Sequence, residues 1–382
     1  MAGQTIILAG AIGRANIGGK AWAYMQYLCG LRALGFDVYY LEDCGEGSWV
    51  WDWEREELST DVAYAADYVR SCLAPIGMGE RWCYRAGEQC AGMKWDDFAE
   101  ACRRADLLII RANPMKTWRA EYDLPKRRAF IDVDPGFTQV RLTEGPGEMK
   151  STVDRCERLF TVGRRIGMPG CDVPTSGCEW ITMVPPVALD HWPVCNGPGE
   201  HFTTIMDWRG FREEKHAGQI IGQKDMSFPQ YLDLPARTKQ SLLIGLTGAP
   251  LEKLTRHGWN AVIGWQASRT PDRYREFIQR SRAEFGVAKH GYVATQGGWF
   301  SDRSVCYLAS GRPVLVHDTG LRDWLEVGEG VVTFTDADSA ARGIEEINED
   351  YERHARAARR LAETHFSAER VLGRLVDAAL GD

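Results

Sequence analysis

Residues 289–321 read KHGYVATQGGWFSDRSVCYLASGRPVLVHDTGL, and this stretch decides the fold. Gly297 and Gly298 precede Trp299, Phe300, Ser301, Asp302 and Arg303, after which an apolar run ends at Gly311. The order predicts a glycine loop opening a helix, with Ser301 or Asp302 as its cap. Free N–H groups at a helix start and the helix dipole both favour an anion such as a diphosphate. Gly311, Arg312 and Pro313 then break the helix and feed a short strand at Val314–Val316. Asp318, Thr319 and Gly320 fall at that strand's C-terminal end, where open α/β sheets bind ligands.

Working outward, apolar runs predict strands at Phe202–Met206, Ser241–Leu246, Asn260–Ile263, Phe285–Ala288 and Val331–Phe334. Pro271–Arg282 predicts a helix with proline in its first turn, and Asp338–Leu380 predicts three consecutive helices. The first half repeats the pattern. Thr5–Ala9 ends in Gly10, and Trp22, Met25, Leu28, Leu31 and Leu34 then recur at helical spacing before Gly35. Phe36–Leu41 predicts the next strand, followed by strands at Leu107–Ile110, Ala129–Val133 and Leu159–Val162 and helices at Val62–Leu73 and Asp96–Arg104. A Pro-, Gly- and Cys-rich stretch over 167–199 reads as the end of the first half and a linker. The fold class is α/β, with two Rossmann-like doubly wound halves.

The chain has 382 residues, which suits two α/β domains. A net charge of −7 repels nucleic acid and anionic membrane in bulk, and the short run Lys126, Arg127, Arg128 reads as a solvated face. No apolar run reaches the length of a membrane span, and the N-terminus lacks a secretory signal's basic start. Eleven irregularly spaced cysteines without a paired CxxC fit a reduced, cytoplasmic chain. Cys171 and Cys178 lie too far apart for a zinc knuckle and no second pair follows, so no metal site is expected.

The helix, the run Ala309-Ser310-Gly311-Arg312-Pro313-Val314, the glycine loop, GEGVVTF at 328–334 and the paired helices resemble the C-terminal pattern of GT-B glycosyltransferases. Within these, the chain looks closest to the CgeB-like and glycosyltransferase family 1-type proteins, over roughly Phe285–Leu380. The CgeB-like group carries an Arg with a Glu three residues on; here Arg303 is followed by Cys306 at that position. The resemblance implies two Rossmann-like domains facing across a cleft. Residues 1–190 would bind the acceptor, 200–365 the nucleotide sugar, and 366–382 would form a helix packing back on the first domain. It implies hexosyl transfer without metal from a nucleotide-diphosphate sugar of the UDP type, which serves as co-substrate with no cofactor. Lys289 and Arg303 would neutralise the diphosphate, and the N–H groups near Gly297 and Gly298 would hydrogen-bond it. Asp318, Thr319 and Gly320 would face the sugar or its phosphate, and Trp299 would stack on a base or sugar. Ser301 and Asp302 open the same helix, and Lys224 follows the second domain's first strand, in reach of a phosphate.

On the acceptor side, Gly13, Arg14 and Asn16 border the cleft at the end of the first strand, although GxGxxG does not match there. Asp132 and Asp134 end another strand. Asp134 is the candidate base for an acceptor hydroxyl and Asp132 an acceptor contact; the other reading is that one of them caps the following turn. His201, His290 and His317 are rival bases. Three functions remain open: transfer to a small-molecule or natural-product acceptor, transfer to a macromolecule (a modified DNA base, a protein or a cell-surface polymer), and an NDP-sugar epimerase or non-catalytic sugar-binding protein.

Overall fold

The computed structural model describes residues 3–248 and 251–381. The strand Thr5–Ala9 lies in the middle of an eight-stranded sheet. On one side follow Asp37–Asp43, Trp82–Ala86 and Gln89–Gly92; on the other follow Leu107–Arg111, Arg127–Asp132, Arg158–Thr161 and Trp180–Thr182. Only the edge pair Trp82–Ala86 and Gln89–Gly92 is antiparallel. Strands such as TIILA and LLIIR are buried throughout because helices cover both faces of a parallel sheet. Order reverses between Thr5–Ala9 and Leu107–Arg111, which opens a crevice at the strands' C-terminal ends.

The second sheet has six parallel strands: Asn260–Ile263, Leu242–Thr247, Phe202–Asp207, Ala283–Gly286, Val314–His317 and Val331–Phe334. Its order reverses between Phe202–Asp207 and Ala283–Gly286. The strand expected at Phe285–Ala288 therefore begins two residues earlier and contains Glu284, a charge that interrupts the apolar run. The helix expected to reach Arg282 stops at Gln279. The linker stretch contributes a strand, Trp180–Thr182, to the edge of the first sheet. Two short hairpins, Val50–Asp52 with Glu57–Ser59 and Glu214–His216 with Gln219–Ile221, are too short for alternation to announce them.

The lobes touch closely. Trp22 rests 5.0 Å from Trp192 and donates its indole N–H to the Pro271 carbonyl at 2.8 Å. Gly18 opens the helix Gly18–Ala33, and a Cβ there would lie 2.1 Å from the Thr270 carbonyl oxygen. Only glycine allows that approach. The chain passes between lobes twice. At the crossing, Val187 N–H donates to Phe366 O at 2.7 Å and Ala368 N–H donates to Val187 O at 2.9 Å. The helix Ala368–Leu380 then packs on Gly18–Ala33 of the first lobe, where Gly30 leaves room for Ala368.

Candidate active site

The helix Asp302–Ala309 starts beside the second sheet's switch point, and Ser301 caps it by accepting the Arg303 N–H. A pocket there is lined by Gly286, Ala288, Trp299, Ser301, Arg303 and His317, among others. Arg303 donates from Nε to Glu284 Oε1 at 2.7 Å and from Nη1 to the Ile205 carbonyl at 2.8 Å. Glu284 is fully buried, and its Oε2 has no partner among the described residues. A carboxylate so placed is tolerable only beside a cation. Burial disfavours the Arg303 charge, but Glu284 outweighs it and raises the guanidinium's pKa. The expected role of Arg303 in neutralising a diphosphate is thus narrowed: two donors are already engaged, and only the remainder can serve the pocket.

Lys224 opens the short helix Lys224–Ser227, is 8% exposed and forms no ion pair among the described residues. Burial, then the charges of Arg303 and Lys289, push its ammonium pKa well below the usual lysine range. Lys289 donates to Asp134 Oδ1 at 2.5 Å across the lobes and sits 4.0 Å from the Phe211 ring centre. Tyr292 donates its hydroxyl to the same oxygen. Burial alone would raise the Asp134 carboxyl, but Lys289 and Tyr292 outweigh it and hold the group far below the usual carboxylate range. A carboxylate so weakly basic is a poor proton acceptor while this pair holds. Asp134 is here the counter-ion of Lys289, which corrects its assignment as base. Asp132 is the turn-capping carboxylate: it accepts from Asp134 N–H at 3.0 Å, Gln139 Nε2 at 2.8 Å and Thr161 Oγ1 at 2.6 Å, and is 1% exposed. It has no face left for an acceptor.

The loops around the pocket are bonded to each other. Gly298 N–H donates to Thr319 O at 2.7 Å, so it does not wait for a phosphate. Thr319 is fully buried and donates its hydroxyl to Trp299 O at 2.6 Å. Asp318 accepts from Gly320 and Leu321 N–H groups at 2.9 and 3.0 Å. Gly320 has φ +90°, with Arg165 packed where a Cβ would stand. Gly297 O accepts from Arg165 N–H at 3.1 Å. Gly298, Asp318, Thr319 and Gly320 thus shape the pocket through mutual bonds, a correction to their expected direct contacts. Trp299 stacks on Tyr292 at 4.3 Å. Asp302 pairs with buried Arg111 of the first lobe at 3.2 Å, which redirects it from the donor to the lobe contact.

In the first lobe, the Gly13 and Arg14 N–H groups donate to the buried Glu42 carboxylate at 2.8 and 2.7 Å. That internal anion occupies the loop. Asn16 is 3% exposed; its amide donates to Trp51 O at 2.8 Å and accepts from Trp53 Nε1 at 3.1 Å. It holds the hairpin 50–59 rather than facing an acceptor. Arg14 keeps one nitrogen, Nη1, without a partner. His317 bonds Tyr231 through Nε2 at 3.2 Å, its Nδ1 is unpartnered, and burial lowers its pKa to about 4, so it is neutral at pH 7. His201 bonds Ser241 and His290 bonds Gly222 N–H. Cys306, at the position of the family's Glu, is buried and donates to Asp302 O. Glu284 and Arg111 carry one sequence signal, a lone charge at the edge of an apolar strand.

Residues 234–377 match the family model described as Glycosyl transferase-like. Solved structures align over nearly the whole chain. An alpha-glucosyltransferase in complex with UDP-glucose and DNA containing an abasic site has a TM-score of 0.60 at 12% identity, covering 100% of both chains. Anabaena HepE in complex with UDP-glucose has a TM-score of 0.61 at 10% identity, covering 98% of each. The fold is that of the GT-B glycosyltransferases. No curated protein matches the chain. In this GT-B chain the matched segment contains the second sheet's pocket, Glu284, Lys289 and Arg303. Among the described residues, no three His, Cys, Asp or Glu side chains form a metal-holding group. No described helix is long and apolar enough to cross a membrane.

Proposed function

We propose that this GT-B chain transfers a sugar from UDP-sugar to a small hydroxyl-bearing acceptor, with residues 200–365 binding the donor, 1–190 the acceptor, and 366–382 a helix packing back on the first domain. The observation that carries the reading is Lys224, a buried lysine without an ion pair among the described residues, which follows Gln223, whose carbonyl accepts the His290 N–H at 3.3 Å, and whose charged form burial and the charges of Arg303 and Lys289 disfavour. Burying charge without a partner is costly, and a diphosphate supplies the missing anion. UDP-glucose accompanies both of these similarly folded structures, and the Glycosyl transferase-like match spans this pocket.

The chemistry follows from the charges. The acceptor oxygen bonds to the donor's anomeric carbon as the bond to the diphosphate oxygen breaks. The electron pair stays on the departing UDP, and the hydroxyl proton leaves to that phosphate or to solvent. Lys224, Lys289 and the free donors of Arg303 meet charge that grows in the transition state, which is where preset groups accelerate. Side-chain cations take the role a divalent metal plays in other transferases, and no further cofactor is invoked. The net charge of −7 works against DNA as acceptor, although one relative was solved with it.

The test is UDP release from a panel of UDP-sugars, with and without chelator, beside calorimetric binding of UDP. Release that survives chelator and vanishes in Lys224→Met is the expected result. Absence of UDP binding overturns the donor reading, and loss with chelator that manganese restores overturns the metal-free clamp.

A further inference from the structure

We propose that the hairpin around Trp49 and Trp51 is a stacking platform for a neutral oligosaccharide, whose terminal sugar is the acceptor. The proposal rests on the donor reading above and names its second substrate.

Trp49 is 63% and Trp51 38% exposed, an unusual position for the largest apolar side chain. Neither sits on a loose loop. Trp49 lies between Ser48 and Val50, which are 2% and 1% exposed. Ser48 bonds the Tyr84 hydroxyl at 2.5 Å. Asn16 grips the Trp51 carbonyl and the Trp53 indole, and Asp52 accepts the N–H groups of Glu54 and Arg55 at 2.9 and 3.1 Å. Trp53 stacks on Trp265 of the other lobe at 5.3 Å with 26° between planes, and Glu54 pairs with Arg269 at 3.0 Å. A backbone held by these bonds therefore presents two indoles to solvent at the junction of the lobes. Preorganised aromatic faces cost little entropy on binding.

The position ties the platform to the reacting centre. Asn16 belongs to the loop that runs into Gly18 and Lys20, and the Lys20 charge is felt by the Asp134–Lys289 pair. Asn16 thus links the hairpin that carries the indoles to the loop at the C-terminal end of the strand Thr5–Ala9.

The chemistry selects the ligand. The C–H face of a pyranose ring is apolar and stacks on an indole, while its rim hydroxyls stay wet. Within residues 46–61, Glu46, Asp52, Glu54, Glu56, Glu57 and Asp61 outnumber Arg55, and Arg269 of the other lobe offsets only Glu54. That excess of carboxylates repels phosphodiesters and acidic sugars and leaves a neutral glycan unpenalised. A hydroxyl on its terminal sugar forms the new C–O bond, UDP departs with the electron pair, and the hydroxyl proton goes to UDP or solvent.

The experiment uses the full chain with UDP bound. Binding is read by tryptophan fluorescence and by ligand-observed NMR against maltohexaose, cellohexaose, mannohexaose and xylohexaose, an oligogalacturonate and a 13-mer DNA duplex. The expected result is binding of at least one neutral hexamer, weakened tenfold or more by Trp49→Ala or Trp51→Ala and largely retained in Trp49→Tyr. UDP affinity and UDP-sugar hydrolysis stay unchanged in these variants. Binding of no neutral hexamer, tighter binding of the duplex or the acidic oligomer, or equal binding by wild type and both alanine variants overturns the proposal. Failure of wild type to bind UDP overturns the donor reading and this proposal with it, which separates the two.

Discussion

Replacing Lys224 by Met keeps the length of the side chain and removes its charge. In the empty protein the ammonium is disfavoured, first by burial and then by Arg303 and Lys289, against the weaker pull of Asp207 and Glu284. A bound diphosphate reverses that balance and raises the Lys224 pKa. Between the empty and bound values the protein takes up a proton on binding, about one per UDP for a single linked group. UDP affinity is then fully present below the empty-state pKa and falls as pH rises through it, about tenfold per unit until the bound-state pKa is reached. The lost charge-assisted contact is worth roughly 1.5–3 kcal/mol, so Lys224→Met should weaken UDP about 10- to 150-fold. Uridine, which lacks phosphate, should bind as before. Folding stability should not fall, because the variant replaces a buried, unpaired amine with an apolar side chain of similar length. Calorimetry in two buffers of different ionisation enthalpy gives both affinity and proton uptake. Equal weakening of UDP and uridine, or proton uptake that persists in Lys224→Met, would refute the reasoning.

Arg303→Ala leaves Glu284 buried and charged, so it should cost about 3–5 kcal/mol in urea unfolding, partly recovered by adding Glu284→Gln; equal losses in the single and double variants would count against the pair. Asp134→Asn frees Lys289 from its counter-ion and should tighten UDP binding, measured by the same calorimetry; weaker binding would show that the pair supports the site. Gly18→Ala places a methyl group 2.1 Å from Thr270 O and should part the lobes, raising the radius of gyration in small-angle scattering; an unchanged radius would discount that contact.

The parallel sheets and the pocket-forming stretch 289–321 were legible because apolar runs, glycines and Pro313 are local signals. The loop bonds were not: Gly298 N–H finds Thr319 and Asp134 finds Lys289, partners 21 and 155 residues away. An Asp-Pro turn looks the same in sequence whether its carboxylate is free or paired. Glu284 shifted its strand by two residues because a lone charge reads as a break, when burial beside Arg303 makes it part of the core. Trp49, Trp51 and Trp53 alternate with Val50 and Asp52 over too few residues to announce a hairpin, and acidic neighbours disguise the segment as a loop.

The paired crossing at Val187 and Ser367 has a mechanical consequence. One covalent connection between two rigid bodies acts as a ball joint and leaves all three rotations free. Two connections lying side by side and bonded to each other act as a door hinge, which bends about the line through both and resists twist and shear. The bonds Val187 N–H to Phe366 O and Ala368 N–H to Val187 O make that line rigid. Any opening about such a hinge would part the rims of the two lobes along a single arc, beginning where Gly18 meets Thr270.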